Sequence, residues 1–146
     1  MVTINSEHEK ITLNNITVCE EKMNIKFPRD YKEFLIEYNG GNVKPNIFKV
    51  SDSQGESAVN MFCGIDVSDQ YDDLLSVFDS LDGEIPDDFI SIGDDSAGNQ
   101  ICLGVRNIYS EKVYIWIHDM EVDEDMDNMF ILADSFNEFI GKLYTE

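Results

Sequence analysis

Histidine, cysteine and positive charge are all scarce in this chain, and each shortage removes a class of function. Two histidines are present, His8 and His118, and the three cysteines, Cys19, Cys63 and Cys102, stand far apart with no Cys-x-x-Cys pair. A zinc centre needs several nitrogen or sulfur ligands at short, regular spacing, so no metal site of that kind is expected. An odd, scattered set of thiols also argues against a disulfide framework and for a reducing, cytoplasmic setting. The N-terminus carries no basic start followed by an apolar stretch, as a signal peptide would. Lys and Arg number 10 against 30 for Asp and Glu, a formal net charge of −20. A polyanionic partner, nucleic acid or an anionic membrane surface, is therefore excluded on electrostatic grounds. Long apolar runs are missing too. Val113 to Ile117 is the longest strong one, far below the roughly 20 residues a membrane-crossing helix needs.

What the chain does have is apolar and aromatic mass. Its 146 residues are 42% hydrophobic and 11% aromatic, enough to bury a sizeable core within one domain spanning 1–146. The charge is unevenly distributed. Residues 1–50 hold 7 basic and 7 acidic side chains, whereas 51–146 hold 3 basic and 23 acidic ones. Either the acidic two thirds keep the protein soluble, or they form a docking face for a basic partner. Only the second arrangement requires the carboxylates to gather on one side.

Periodicity and caps give the elements. Thr17-Val18-Cys19-Glu20 has capping-box spacing, which predicts a helix opening there and closing near Asn24. Pro28 then takes a first helical position, and Tyr31, Phe34, Leu35 and Tyr38 fall on one stripe that Asn39-Gly40-Gly41 terminates. Strands are expected at Asn46 to Val50, and at Ala58 to Ile65 with Val59, Met61, Cys63 and Ile65 alternating. Asp73 to Leu81 reads as a helix and Phe89 to Ile92 as a short strand. Ile101 to Val105 and Val113 to His118 alternate most clearly and are joined as a hairpin by Arg106 to Lys112. Met129 to Leu132 is a last strand, and Ser135 to Glu138 is a capping box opening a helix with Phe136, Phe139, Ile140 and Leu143 on one face. The order lacks regular strand–helix alternation, so the fold class is α+β. A mainly antiparallel sheet of about six strands carries N-terminal helices and a C-terminal helix.

Three constellations invite chemistry. Asp123, Asp125 and Asp127 match positions 1, 3 and 5 of a calcium loop, but Asn128 replaces the expected glycine and position 12 falls on Asp134. A calcium-responsive binder is the weaker reading, a solvated loop the stronger. Gly93 to Asn99 brings Asp94 and Asp95 between strands in a segment rich in turn-forming residues, without a nucleophile or base nearby. Tyr114, Trp116 and His118 share one face of a strand. They are either a second core or an aromatic anchor ringed by Asp94, Asp95 and Asp119. No catalytic residue and no cofactor is expected, and the chain reads as a binding protein.

Taken in order, several pieces of the sequence resemble one family over about residues 17–143. They are Glu21 with Phe27-Pro28-Arg29-Asp30-Tyr31, Phe34-Leu35 with Asn39-Gly40-Gly41, and Ile92-Gly93-Asp94-Asp95 with Gly98-Asn99. Val113-Tyr114-Ile115-Trp116 with His118, and Ala133-Asp134-Ser135-Phe136 with Phe139, complete the set. Together they resemble the Smi/Knr cell-wall-assembly regulator family of the SUKH superfamily, with Phe27 where Leu is commoner. The resemblance implies an α+β domain with no shared catalytic residues. For bacterial members it implies an immunity protein that binds and neutralises a cognate polymorphic toxin, often a nuclease. For others it implies a regulatory scaffold. Under the immunity reading the partner is a basic toxin domain. Asp94, Asp95, Asn99, Tyr114, Trp116, His118 and Asp119 are then the candidate partner-binding residues.

Overall fold

Alternating apolar segments that follow one another in the chain pair most simply with their neighbours, and the sheet is built that way, with one link passing through a helix. The computed structural model describes residues 2–145. After a short strand β1 (Thr3–Asn5) come helices α1 (Leu13–Met23) and α2 (Arg29–Tyr38), then β2 (Asn42–Lys44), which pairs back on β1. Next are β3 (Ile47–Ser51), β4 (Gly55–Phe62), helix α3 (Leu74–Ser80), β5 (Phe89–Asp95), β6 (Gln100–Gly104), β7 (Val113–Trp116), β8 (Met129–Ala133) and helix α4 (Phe136–Gly141). Strands β3 to β8 form a six-stranded sheet in chain order, every neighbour antiparallel. The sheet curls until its edges β3 and β8 approach each other, and Tyr144 beyond α4 exchanges two backbone hydrogen bonds with Ile47 of β3. The α+β expectation holds.

The helices cover the inner face. Tyr31 and Phe34 of α2 meet Phe62 of β4 and Phe136 of α4, with ring centroids 4.8 to 6.2 Å apart. Such pairs add about 0.5–1.5 kcal/mol each beyond simple area burial. The α2 stripe is thus the centre of the core, and Tyr38 packs at its margin. Asn39 does more than end the helix. Its left-handed backbone caps α2, while its buried amide bonds to the backbone of Glu9 and Ile65. Gly40 is obligatory next to it, because φ is +87° and a Cβ would stand 2.6 Å from the Phe62 and Cys63 carbonyls.

Several local expectations need correction. The first helix begins at Leu13 with Thr12 as its cap, whose N–H donates to Asn15 Oδ1 at 2.9 Å. Thr17 lies inside the helix and donates to the Leu13 carbonyl. Glu20, which the capping box would place outside, is buried. It accepts from the Phe27 N–H at 2.7 Å and lies 3.6 Å from Lys32 Nζ, tying α1 to α2. Pro28 sits one residue earlier than expected, at the cap itself. In β4 the alternation slips at a bulge between Val59 and Met61, so Phe62 is buried and Met61 only half so. Strand β5 runs on to Asp95, and its first five residues are all buried, as happens when both faces of a strand are covered. The Ser135 cap matches, accepting from the Glu138 N–H, and Asp73, expected as the first residue of its helix, is instead the cap of α3 and accepts from the Ser76 N–H.

Candidate binding groove

The face of the sheet turned away from α1 and α2 is built from direct cross-strand partners, which project to the same side. One row runs Met61, Asp94, Gln100, Trp116, Met129. The next runs Ser91, Cys102, Tyr114, Ile131. A second apolar cluster of Ile85, Phe89, Cys102 and Met129 forms there, with Tyr109, Tyr114, Trp116 and Met126 half-buried against it. Tyr114 packs edge-on to Phe89 at 5.0 Å and to Tyr109 at 5.8 Å, so it is the foundation of this face. Trp116 lies further toward the opening.

At that end the α3–β5 connection and the loop after β7 enclose a groove of about 570 Å³. Trp116, Met120 and Val122 give its lining apolar surface, and Glu84, Asp87, Asp125 and His118 line it as well. Among the described residues no Lys or Arg lines it. The β5–β6 turn supports one wall. Asp95 is 2% exposed, and its carboxylate accepts from Ala97 N, Asn99 N, Asn99 Nδ2 and Ser57 Oγ at 2.7 to 3.0 Å. Asn99, also buried, accepts from the His118 N–H at 3.2 Å, and His118 Nε2 lies 3.2 Å from the Ala97 carbonyl. Asp95 and Asn99 therefore shape the groove from inside, and His118 reaches its surface. Asp119 is exposed on the turn that follows.

Asp94 has the opposite fate to its neighbour. It is half-buried in an adjoining cavity of about 310 Å³ and accepts from Asn60 Nδ2 at 3.2 Å. Burial above all, and the charge of Asp72 as well, push its carboxyl above the ordinary 3.8. Sequence reasoning missed Glu84 and Asp87 altogether, and it read Asp125 only as a calcium ligand. Their one signal was the excess of acid after residue 50. Asp127 caps its own loop, accepting from the N–H groups of Asp123 and Glu124, and Asp134 pairs with Lys112 at 3.2 Å. Among the described residues no group of three His, Cys, Asp or Glu is arranged to hold a metal ion. All three thiols are buried, and desolvation is the main cause that drives their pKa values up, that of Cys19 to about 12. Such thiols are inert as nucleophiles near neutrality. No helix among the described residues is long and apolar enough to cross a membrane.

The chain is 27% identical over 155 residues to the SPbeta prophage-derived uncharacterized protein YokK of Bacillus subtilis (strain 168), an alignment covering 90% of this chain and 75% of that one. The profile of the SMI1 / KNR4 family (SUKH-1) matches residues 10–142, from just before the Thr12 cap to the end of α4. The chain belongs to the SMI1/KNR4 family (SUKH-1).

Proposed function

We propose that the protein is an immunity protein, which binds a basic toxin domain in the acidic groove and blocks it without performing a reaction. The observation that carries this reading is the half-buried Trp116 lining one groove with Glu84, Asp87 and Asp125, with no Lys or Arg among the described lining residues. Interface anchors are typically a few aromatic side chains in a pocket, surrounded by groups that exclude water. The carboxylates supply a complementary field that steers a basic partner and accelerates encounter. A nuclease domain fits this chemistry, because its substrate groove must present Lys and Arg to phosphate. A relative of prophage origin is in keeping with a gene that travels with a toxin.

Within this reading the candidate residues divide by placement. Trp116, His118 and Asp119 meet the partner, joined by Glu84, Asp87 and Asp125. Tyr114, Asp95 and Asn99 hold the face in shape. The test is co-expression with the product of the neighbouring open reading frame, expected under this reading to end in a basic toxin domain. Rescue of growth and a co-purified complex are expected, and both should be lost in Trp116→Ala combined with Glu84→Gln, Asp87→Asn and Asp125→Asn. Absence of a complex with the unaltered protein would point instead to a regulatory scaffold.

A further inference from the structure

Asp94 is half-buried, lies in a cavity, and has no cationic partner among the described residues. The five ion pairs among the described residues all lie elsewhere. A carboxylate in that position has lost part of its hydration without gaining an opposite charge. The local backbone is built to hold it there. Bulges interrupt both ladders of β5, between Val59 and Met61 on one side and between Ser91 and Gly93 on the other. Bulges re-aim side chains next to functional sites. Here they set Asn60 against Asp94 Oδ1, and Gly93 allows a close approach in which a Cβ would stand 2.6 Å from the Met61 carbonyl.

We propose that the cavity over Asp94 is a socket for one arginine side chain of a protein partner. At about 310 Å³ the cavity lies at the small end of ligand pockets, a size suited to a single long side chain. Its chemistry follows the length of an arginine. Val77 of α3 and Leu81 at its C-terminal cap offer apolar wall to the methylene stem, and Asp94 offers the carboxylate. At the rim Tyr71 is 78% exposed, a solitary aromatic ring on which a guanidinium plane can stack. Gln100, held by the Ser91 hydroxyl at 2.6 Å, is the cross-strand neighbour of both Asp94 and Trp116. The socket therefore adjoins the groove, and one partner surface could fill both. This inference deepens the immunity reading and rests on it only for the identity of the protein that supplies the arginine.

The test needs no toxin. N-acetyl-L-arginine N-methylamide is titrated into the labelled protein at physiological salt while amide resonances are followed by NMR, with the citrulline analogue as neutral control. Saturable shifts centred on Tyr71, Gly93, Asp94 and Gln100 are expected in the millimolar range. Binding should be about five-fold weaker for citrulline and for Asp94→Asn, the gain attributable to one partly exposed ion pair. Tyr71→Ala, at an exposed position away from the core, gives a second variant whose folding is not in question and should also weaken binding. Shifts spread evenly over the acidic surface, or unchanged in Asp94→Asn, would overturn the socket. A failed titration beside an intact toxin complex would refute the socket alone. A working titration without a toxin complex would refute only the immunity reading.

Discussion

Asp94 and Asp95 are neighbours in the chain and opposites in the molecule. Asp95 accepts four hydrogen bonds and is sealed inside a turn, while Asp94 accepts one side-chain bond, from Asn60, and lies in an open cavity with no cation beside it. The same contrast separates the two faces of the sheet. Toward α2 and α4 the molecule is a close-packed aromatic core in which each ring has partners. On the outer face the aromatic cluster is left half-covered and its surroundings are acidic. The Asp95 carboxylate is satisfied internally and serves the fold, whereas Asp94 keeps acceptor capacity that a partner can use.

The contrast can be broken by substitution. Phe136→Ala should have the largest effect, a loss of about 3–5 kcal/mol in urea unfolding, because it opens a cavity among Tyr31, Phe34 and Phe62. Asp95→Ala should follow at about 2–3 kcal/mol, since it leaves several buried donors without an acceptor. A loss as small as that of an ordinary surface change would mean the turn does not depend on this carboxylate. Ser135→Ala, which removes the α4 cap, should cost about 1 kcal/mol, and an unmoved urea midpoint would contradict that assignment. Asp94→Asn should cost nothing at neutral pH and raise the midpoint slightly, reversing the sign seen at Asp95.

The pH dependence sharpens the same comparison. The Asp94 carboxyl titrates above its ordinary 3.8 because of burial, with Asp72 adding to the shift and the Asn60 hydrogen bond opposing it. Through the window just above 3.8 the folded state therefore binds more protons than the unfolded one, and stability falls as pH rises. The stability gap between Asp94→Asn and the unaltered protein should widen across that window. A gap that stays constant with pH would show that Asp94 ionises as freely in the folded state as in the unfolded one.

The sequence made the inner layer legible and the groove only in outline. The α2 stripe, the Ser135 cap and the strands β6 and β7 follow from periodicity, because their burial is regular along the chain. Thr17 and Glu20 misled because a capping box looks the same whether its acid turns back to the helix end or inward to the Phe27 amide. β1 and β2, with three residues each, are too short to carry a period. The separate fates of Asp94 and Asp95 depend on the bulge at Gly93, which shifts the face on which each side chain lies. Glu84, Asp87 and Asp125 meet around Trp116 only because two distant connections fold over the same strand end. The acid excess after residue 50 foretold that carboxylates were available, without showing where they would gather.

The central claim is that the acidic walls around Trp116 draw in a basic partner. It is tested most directly by the association rate with the toxin domain, followed by stopped flow through the fluorescence of the single tryptophan. For Glu84→Gln, Asp87→Asn, Asp125→Asn together, the rate should fall about ten-fold at low salt and converge on that of the unaltered protein as salt rises. An association rate that the triple substitution leaves unchanged at low salt would contradict the account.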